Sequence, residues 1–140
     1  MTREMTLAID CGGGGIKGSV VDERGTMIAP PHRVPTPYPL PPELLVDTAV
    51  GLARELPAAT RVTMGMPGMI RHGVVIATPH YITRDGPRSR VLPELVERWD
   101  HFDMGSAIEQ ALGLPTKVLN DAEVAGAGAI TGRGLEMIIT

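Results

Sequence analysis

Four consecutive glycines, Gly12 to Gly15, lie between an aspartate and a lysine in the run Asp10-Cys11-Gly12-Gly13-Gly14-Gly15-Ile16-Lys17-Gly18. Such a run is costly in backbone entropy unless something needs the space, and backbone without side chains can approach an anion closely and aim several N–H groups at it. A phosphate is the natural ligand, with Asp10 able to hold a magnesium ion through water and Lys17 able to add positive charge. The competing reading is a flexible hairpin whose glycines only supply positive φ. The loop joins strand to strand and lacks the spacing of the P-loop and of the Rossmann fingerprint.

Asn120-Asp121 forms a second candidate site, where an apolar strand gives way to a helix. Side chains at the carboxyl end of a strand project into the crevice of an open sheet. A carboxylate there can take the proton from an attacking hydroxyl, a contribution of roughly 10² to 10⁴ in rate, while Asn120 holds a neighbouring hydroxyl. The alternative is that one of the pair simply caps the helix. A third element, Met64-Gly65-Met66-Pro67-Gly68, ends a strand in a tight turn and brings main chain to the same crevice. Its methionines read as core, and the turn has a purely structural reading as well.

The apolar runs that must position these groups are short and separated by glycine and proline. Met5 to Ile9 and Ile16 to Val21 read as adjacent antiparallel strands, and Thr26 to Ala29 as a third after a turn at Asp22 to Gly25. Seven of the 13 prolines lie between Pro30 and Pro42. That stretch is expected as an extended surface segment outside the sheet. Apolar spacing predicts a helix from Pro42 to Leu56, a strand from Arg61 to Met66, and a short strand from Val74 to Ala77. No element is assigned between Thr78 and Trp99. Further on, Asp103 and Gly113 bracket a helix, Thr116 to Leu119 is a strand, Asp121 to Ile130 a small-residue helix, and Leu135 to Thr140 a final strand. The order predicts an α/β fold, with three antiparallel strands and then alternating helices and strands in a mixed sheet.

Composition narrows the classes of function. The 140 residues fit one domain, and 43% hydrophobic against 21% charged residues exclude a disordered chain. No apolar run approaches the roughly 18 residues of a membrane helix, and the first residues do not resemble a secretory signal, so a cytoplasmic location is expected. One cysteine, Cys11, allows no intrachain disulfide, and the four histidines show no metal-ligand spacing, so no structural metal is expected. A net charge of -3 gives no general reason to bind nucleic acid, and the expected partner is a small molecule.

Together, the three elements resemble the ROK family of sugar kinases and repressors, especially its polyphosphate-glucokinase-like branch. Asp10, Gly12, Gly13, Lys17 and Gly18 match the family's first loop, Gly65, Pro67 and Gly68 its G-x-P-G turn, and Asn120, Asp121 and Ala122 its N-D-A motif. One position departs from the pattern: the family's threonine or serine in the first loop is Gly14 here, which removes a hydroxyl able to bind phosphate.

The resemblance implies a ribonuclease-H-like, actin-like ATPase lobe over residues 1–133, with 134–140 as the first strand of a second lobe that is otherwise absent. It implies phosphoryl transfer to a sugar hydroxyl, with Asp121 as base and with Asn120, Gly65, Pro67 and Gly68 as sugar contacts. Asp10 would assist Mg²⁺, and Gly12 to Gly15 with Lys17 would face the phosphate. Glucose is the implied acceptor, and ATP or polyphosphate the donor. Arg84, Arg88, Arg90 and Arg98 form either a steering patch for a polyanionic donor or a solvated face. Family enzymes continue into a second lobe, so the chain alone is expected to be inactive and to self-associate as a homo-oligomer through uncovered apolar surface. The alternatives are a sugar-sensing regulator, a degenerate binding module of the family, and a phosphohydrolase.

Overall fold

The computed structural model describes residues 3–121. Its main sheet contains β1 (Thr6–Cys11), β2 (Gly15–Val21), β3 (His32–Pro35), β4 (Arg61–Met66) and β8 (Thr116–Asn120), in the order β3-β2-β1-β4-β8. β1 pairs antiparallel with β2 and parallel with β4, and β4 pairs parallel with β8. A smaller antiparallel sheet holds β5 (Met69–Arg71), β6 (Val74–Ala77) and β7 (Phe102–Asp103). The helices are α1 (Pro42–Arg54), α2 (Pro93–Trp99) and α3 (Met104–Leu112). No helix among the described residues is long and apolar enough to cross a membrane.

Strand alternation divides the main sheet into two faces. Leu7, Ile9, Cys11, Ile16, Val20, Val62, Met64, Met66 and Val118 are buried in one core with Leu45, Ala49 and Leu52 of α1 and Met104 and Ile108 of α3. Ala8, Asp10, Lys17, Ser19 and Thr63 alternate onto the opposite, more open face. The same burial pushes the Cys11 thiol pKa upward, which makes Cys11 a core residue and not a nucleophile. α3 begins and ends as its sequence predicts. The Asp103 carboxylate accepts from the Ser106 amide at 3.0 Å, and Gly113 closes the helix at φ 67°.

The third strand and the proline-rich stretch require correction. The third strand is not Thr26 to Ala29, where Met27 makes only an isolated bridge to Val21. It is β3, inside the proline-rich stretch expected to leave the sheet. Among the described residues β3 is an edge strand, pairing only with β2, and an edge tolerates a proline such as Pro35, which needs no second ladder partner. Val74 to Ala77 is a strand as expected, and it pairs within the smaller sheet. The unassigned Thr78 to Trp99 stretch contains α2, whose Trp99 donates from Nε1 to the Leu40 carbonyl at 2.8 Å. The helix expected over Asp121–Ile130, beyond its first residue, and the strand expected over Leu135–Thr140 lie outside the described residues.

Candidate active site

The three parallel strands β1, β4 and β8 all end on one side of the sheet, and each is followed by one of the predicted motifs: Gly12–Gly15, Pro67-Gly68 and Asp121. The register sets Arg33, Lys17, Asp10, Gly65 and Leu119 side by side on consecutive strands. Asp10, Lys17, Gly65 and Asp121 line a cleft of about 300 Å³ with Ala8, Ser19 and Thr63. Two carboxylates and an ammonium group therefore share one opening beside the glycine loop. A larger cavity of about 670 Å³ runs along β5, α3 and β8. It gathers none of the predicted site residues, so its size does not make it the better candidate.

None of the loop glycines Gly12 to Gly15 has a left-handed φ, which rules out positive φ as the reason for the run. Space is tight at three of them. A Cβ on Gly12 would stand 3.0 Å from the Gly15 carbonyl oxygen, one on Gly13 2.8 Å from Pro87, and one on Gly15 2.2 Å from the Arg33 guanidinium. At Gly14 a Cβ meets nothing within 4 Å, so a hydroxyl side chain is absent there although space for it exists.

The loop's carbonyls are held from behind. Gly12 O accepts from the Thr36 hydroxyl at 3.0 Å and the Tyr81 hydroxyl at 2.9 Å, and Gly13 O accepts from the Tyr38 hydroxyl at 2.7 Å. Gly14 O accepts from the Thr36 amide at 3.3 Å. With the carbonyls engaged in this way, the Gly13 and Gly14 amides make no backbone hydrogen bond among the described residues. The Gly13 and Gly14 amides are thus the loop's candidate donors to an anion.

Burial raises the pKa of both phenols, most strongly that of Tyr81, so each remains a protonated donor at neutral pH. A folded-state pKa above the unfolded value of about 10 stabilises the fold at lower pH, and that contribution is lost as pH rises past about 10. Tyr81→Phe should therefore lower stability at pH 7 by about 1 kcal/mol in urea denaturation and should flatten the loss of stability above pH 10. An unchanged alkaline limb would show that the phenol does not act as described.

Asn120 and the proline turn serve each other. The Asn120 side-chain amide donates to the Gly68 carbonyl, and the buried Thr78 hydroxyl donates to the Pro67 carbonyl at 3.1 Å. Asn120 and Gly68 also border a separate opening with Met69 and Ile70. In this structure Asn120 fixes the turn, while the exposed Asp121, just after β8, lines the cleft. Of the four arginines singled out in the sequence, Arg98 is paired with Glu43 and Arg84 lies 4.0 Å from Asp85. Arg33, Thr36, Tyr38 and Tyr81 are the functional candidates that sequence reasoning missed.

A magnesium complex needs only one or two protein carboxylates, the rest of its shell coming from phosphate and water. Asp10 and Asp121 in one cleft fit that requirement.

A model described as "ROK family" matches residues 6–135. The N-acetylmannosamine kinase of Escherichia coli (strain K12) is 34% identical over 122 residues, which are 86% of this chain and 37% of that protein. The inorganic polyphosphate/ATP-glucomannokinase of Arthrobacter sp. strain KM superposes with a TM-score of 0.68 at 32% identity, covering 88% of this chain and 46% of its own. A ROK family glucokinase from Streptomyces griseus, solved with glucose and AMPPNP, gives 0.66 at 29% identity, over 89% of this chain and 35% of its own. The chain spans little more than a third of the length of the curated relatives it matches, 37%.

Proposed function

The chain belongs to the ROK family, and from that premise we propose that it forms the ribonuclease-H-like lobe of a sugar kinase. Residues 134–140 would lead into the second lobe, with a hexose hydroxyl as phosphoryl acceptor. The observation that carries this reading is the convergence of Asp121, Asp10 and Lys17 in one cleft beside a glycine loop whose carbonyls are tied back. Glucose is the first acceptor to test; relatives that act on N-acetylmannosamine, or are called glucomannokinase, widen the panel.

In this reading Asp121 takes the proton of the attacking hydroxyl as it becomes a nucleophile. The Gly13 and Gly14 amides and Lys17 receive negative charge on the transferred phosphoryl group, where fixed donors act most strongly because they need not reorganise. Asn120 holds the Gly65–Gly68 turn, so that its backbone presents a fixed wall to the sugar. Asp10 would hold Mg²⁺, which when bound neutralises donor phosphate charge. The second lobe would enclose the reactants, and without it proximity and water exclusion are incomplete.

The test is a coupled phosphorylation assay with glucose, mannose and N-acetylmannosamine, each offered ATP or polyphosphate, on this chain and on the longest product of its gene. Sugar phosphate formed by the longer product, with little from this chain, is the expected result. Hexose binding without turnover under every pairing would instead support a non-catalytic binding module.

A further inference from the structure

β3 contributes a residue to the site that no motif announced. Arg33 is the cross-strand partner of Lys17, so the two cations stand on the same face of the β2–β3 pair. Both are exposed, and neither makes an ion pair among the described residues. Like charges directly opposite each other on an antiparallel pair destabilise it. Asp10 flanks Lys17 on its other side, on β1, so the two cations stand next to one carboxylate and leave a net positive charge at the β3 side of the site.

The Arg33 side chain does not turn away from its neighbour into solvent. It lies diagonally across to the glycine loop, where a Cβ on Gly15 would meet Nη2, Cζ and Nε at 2.2, 2.4 and 2.6 Å. All three distances are short together, so the guanidinium lies flat over the bare Gly15 backbone, a placement that any side chain at position 15 would forbid. The donor amides of Gly13 and Gly14 adjoin it in sequence. A planar fork of donors, a mobile ammonium group and free backbone amides together suit the oxygens of consecutive phosphates.

We propose that Arg33 and Lys17 form an anion-binding pair that holds a linear phosphate chain against the Gly15 side of the loop, making Arg33 a determinant of donor affinity. The chain could come from a nucleoside triphosphate or from inorganic polyphosphate; the chemistry recognised is the same. The proposal deepens the kinase reading by assigning residues to its donor, and it rests on that reading for the donor's role.

Binding is best measured on the chain itself, without sugar, by calorimetry and by thermal unfolding with inorganic tripolyphosphate, ATP and AMP. Tripolyphosphate should bind and raise Tm, ATP should do so comparably, and AMP should do so far more weakly. Arg33→Gln should weaken tripolyphosphate binding about tenfold or more, while the ligand-free variant melts at about the same temperature as the parent, because Arg33 is exposed and makes no ion pair among the described residues. Arg98→Gln, which removes a cation already paired with Glu43, should leave the affinity within twofold.

The proposal is overturned if tripolyphosphate fails to bind at millimolar concentration, or if Arg33→Gln binds it within twofold of the parent. It is also overturned if ATP and AMP bind alike while tripolyphosphate does not, which would place recognition in the nucleoside. A lower ligand-free Tm with affinity intact would make Arg33 a structural residue. Neither sugar nor turnover enters these measurements, so a silent hexose assay leaves this result standing, and the reverse also holds.

Discussion

Asp121→Asn in the longest product that carries this chain should lower kcat for hexose phosphorylation by about 10² to 10⁴ and leave hexose affinity within about threefold. The asparagine keeps the size and hydrogen-bonding reach of the carboxylate but cannot accept a proton. The change therefore removes proton transfer without reshaping the cleft that Asp121 shares with Asp10 and Lys17. A kcat within tenfold of the parent would show that another group, or water, takes the proton. If affinity and turnover fell together, Asp121 would be a sugar ligand first.

The second large effect concerns the fold. Gly68 has φ +114°, and a Cβ there would stand 2.1 Å from the Ala77 carbonyl oxygen and 2.9 Å from the Thr78 Cα. These obstacles are backbone atoms of a strand end and cannot rotate away. Gly68→Ala combines a forbidden φ with a main-chain clash and should cost about 3 kcal/mol or more in urea denaturation. That is a large share of the roughly 5–15 kcal/mol that keeps a domain folded. Gly51→Ala is the matched control, since Gly51 lies within α1 with nothing within 4 Å of its would-be Cβ. It should stabilise the protein by up to about 1 kcal/mol. Equal effects of the two substitutions would mean that the Pro67-Gly68 turn yields easily and cannot serve as a rigid wall of the site.

What the sequence revealed and what it hid divide by distance along the chain. Asp10, Gly65 and Asp121 each sit at or just past the end of an apolar run, and a parallel arrangement of those runs brings them together, while the β1–β2 hairpin sets Lys17 opposite Asp10. The hydroxyls that tie down the glycine loop come from Tyr38 and Tyr81, 25 and 69 residues away from their carbonyl partners, and no local pattern marks them. Arg33 was hidden by a rule applied too broadly. Prolines exclude a segment from the interior of a sheet, but β3 is an edge, and a misplaced third strand left its one site residue unread. The seven residues of α2 were too few to show a period, and its Trp99 declares itself only through the Leu40 carbonyl. For Asn120 both readings in the sequence looked forward, to a substrate or to the next helix. The side chain instead turns back to Gly68, a partner that only the folded strand order makes adjacent.

The aromatic side chains behind the loop form a continuous row. Tyr38 lies 6.3 Å from Tyr81 between ring centroids, Tyr81 5.7 Å from Trp99, and Trp99 6.2 Å from Phe102. Trp99 is the protein's one tryptophan, and the phenol next to it holds the Gly12 carbonyl. The molecule's tryptophan fluorescence thus originates a single side chain away from the glycine loop. Its emission is a label-free optical reporter of whether that loop is seated.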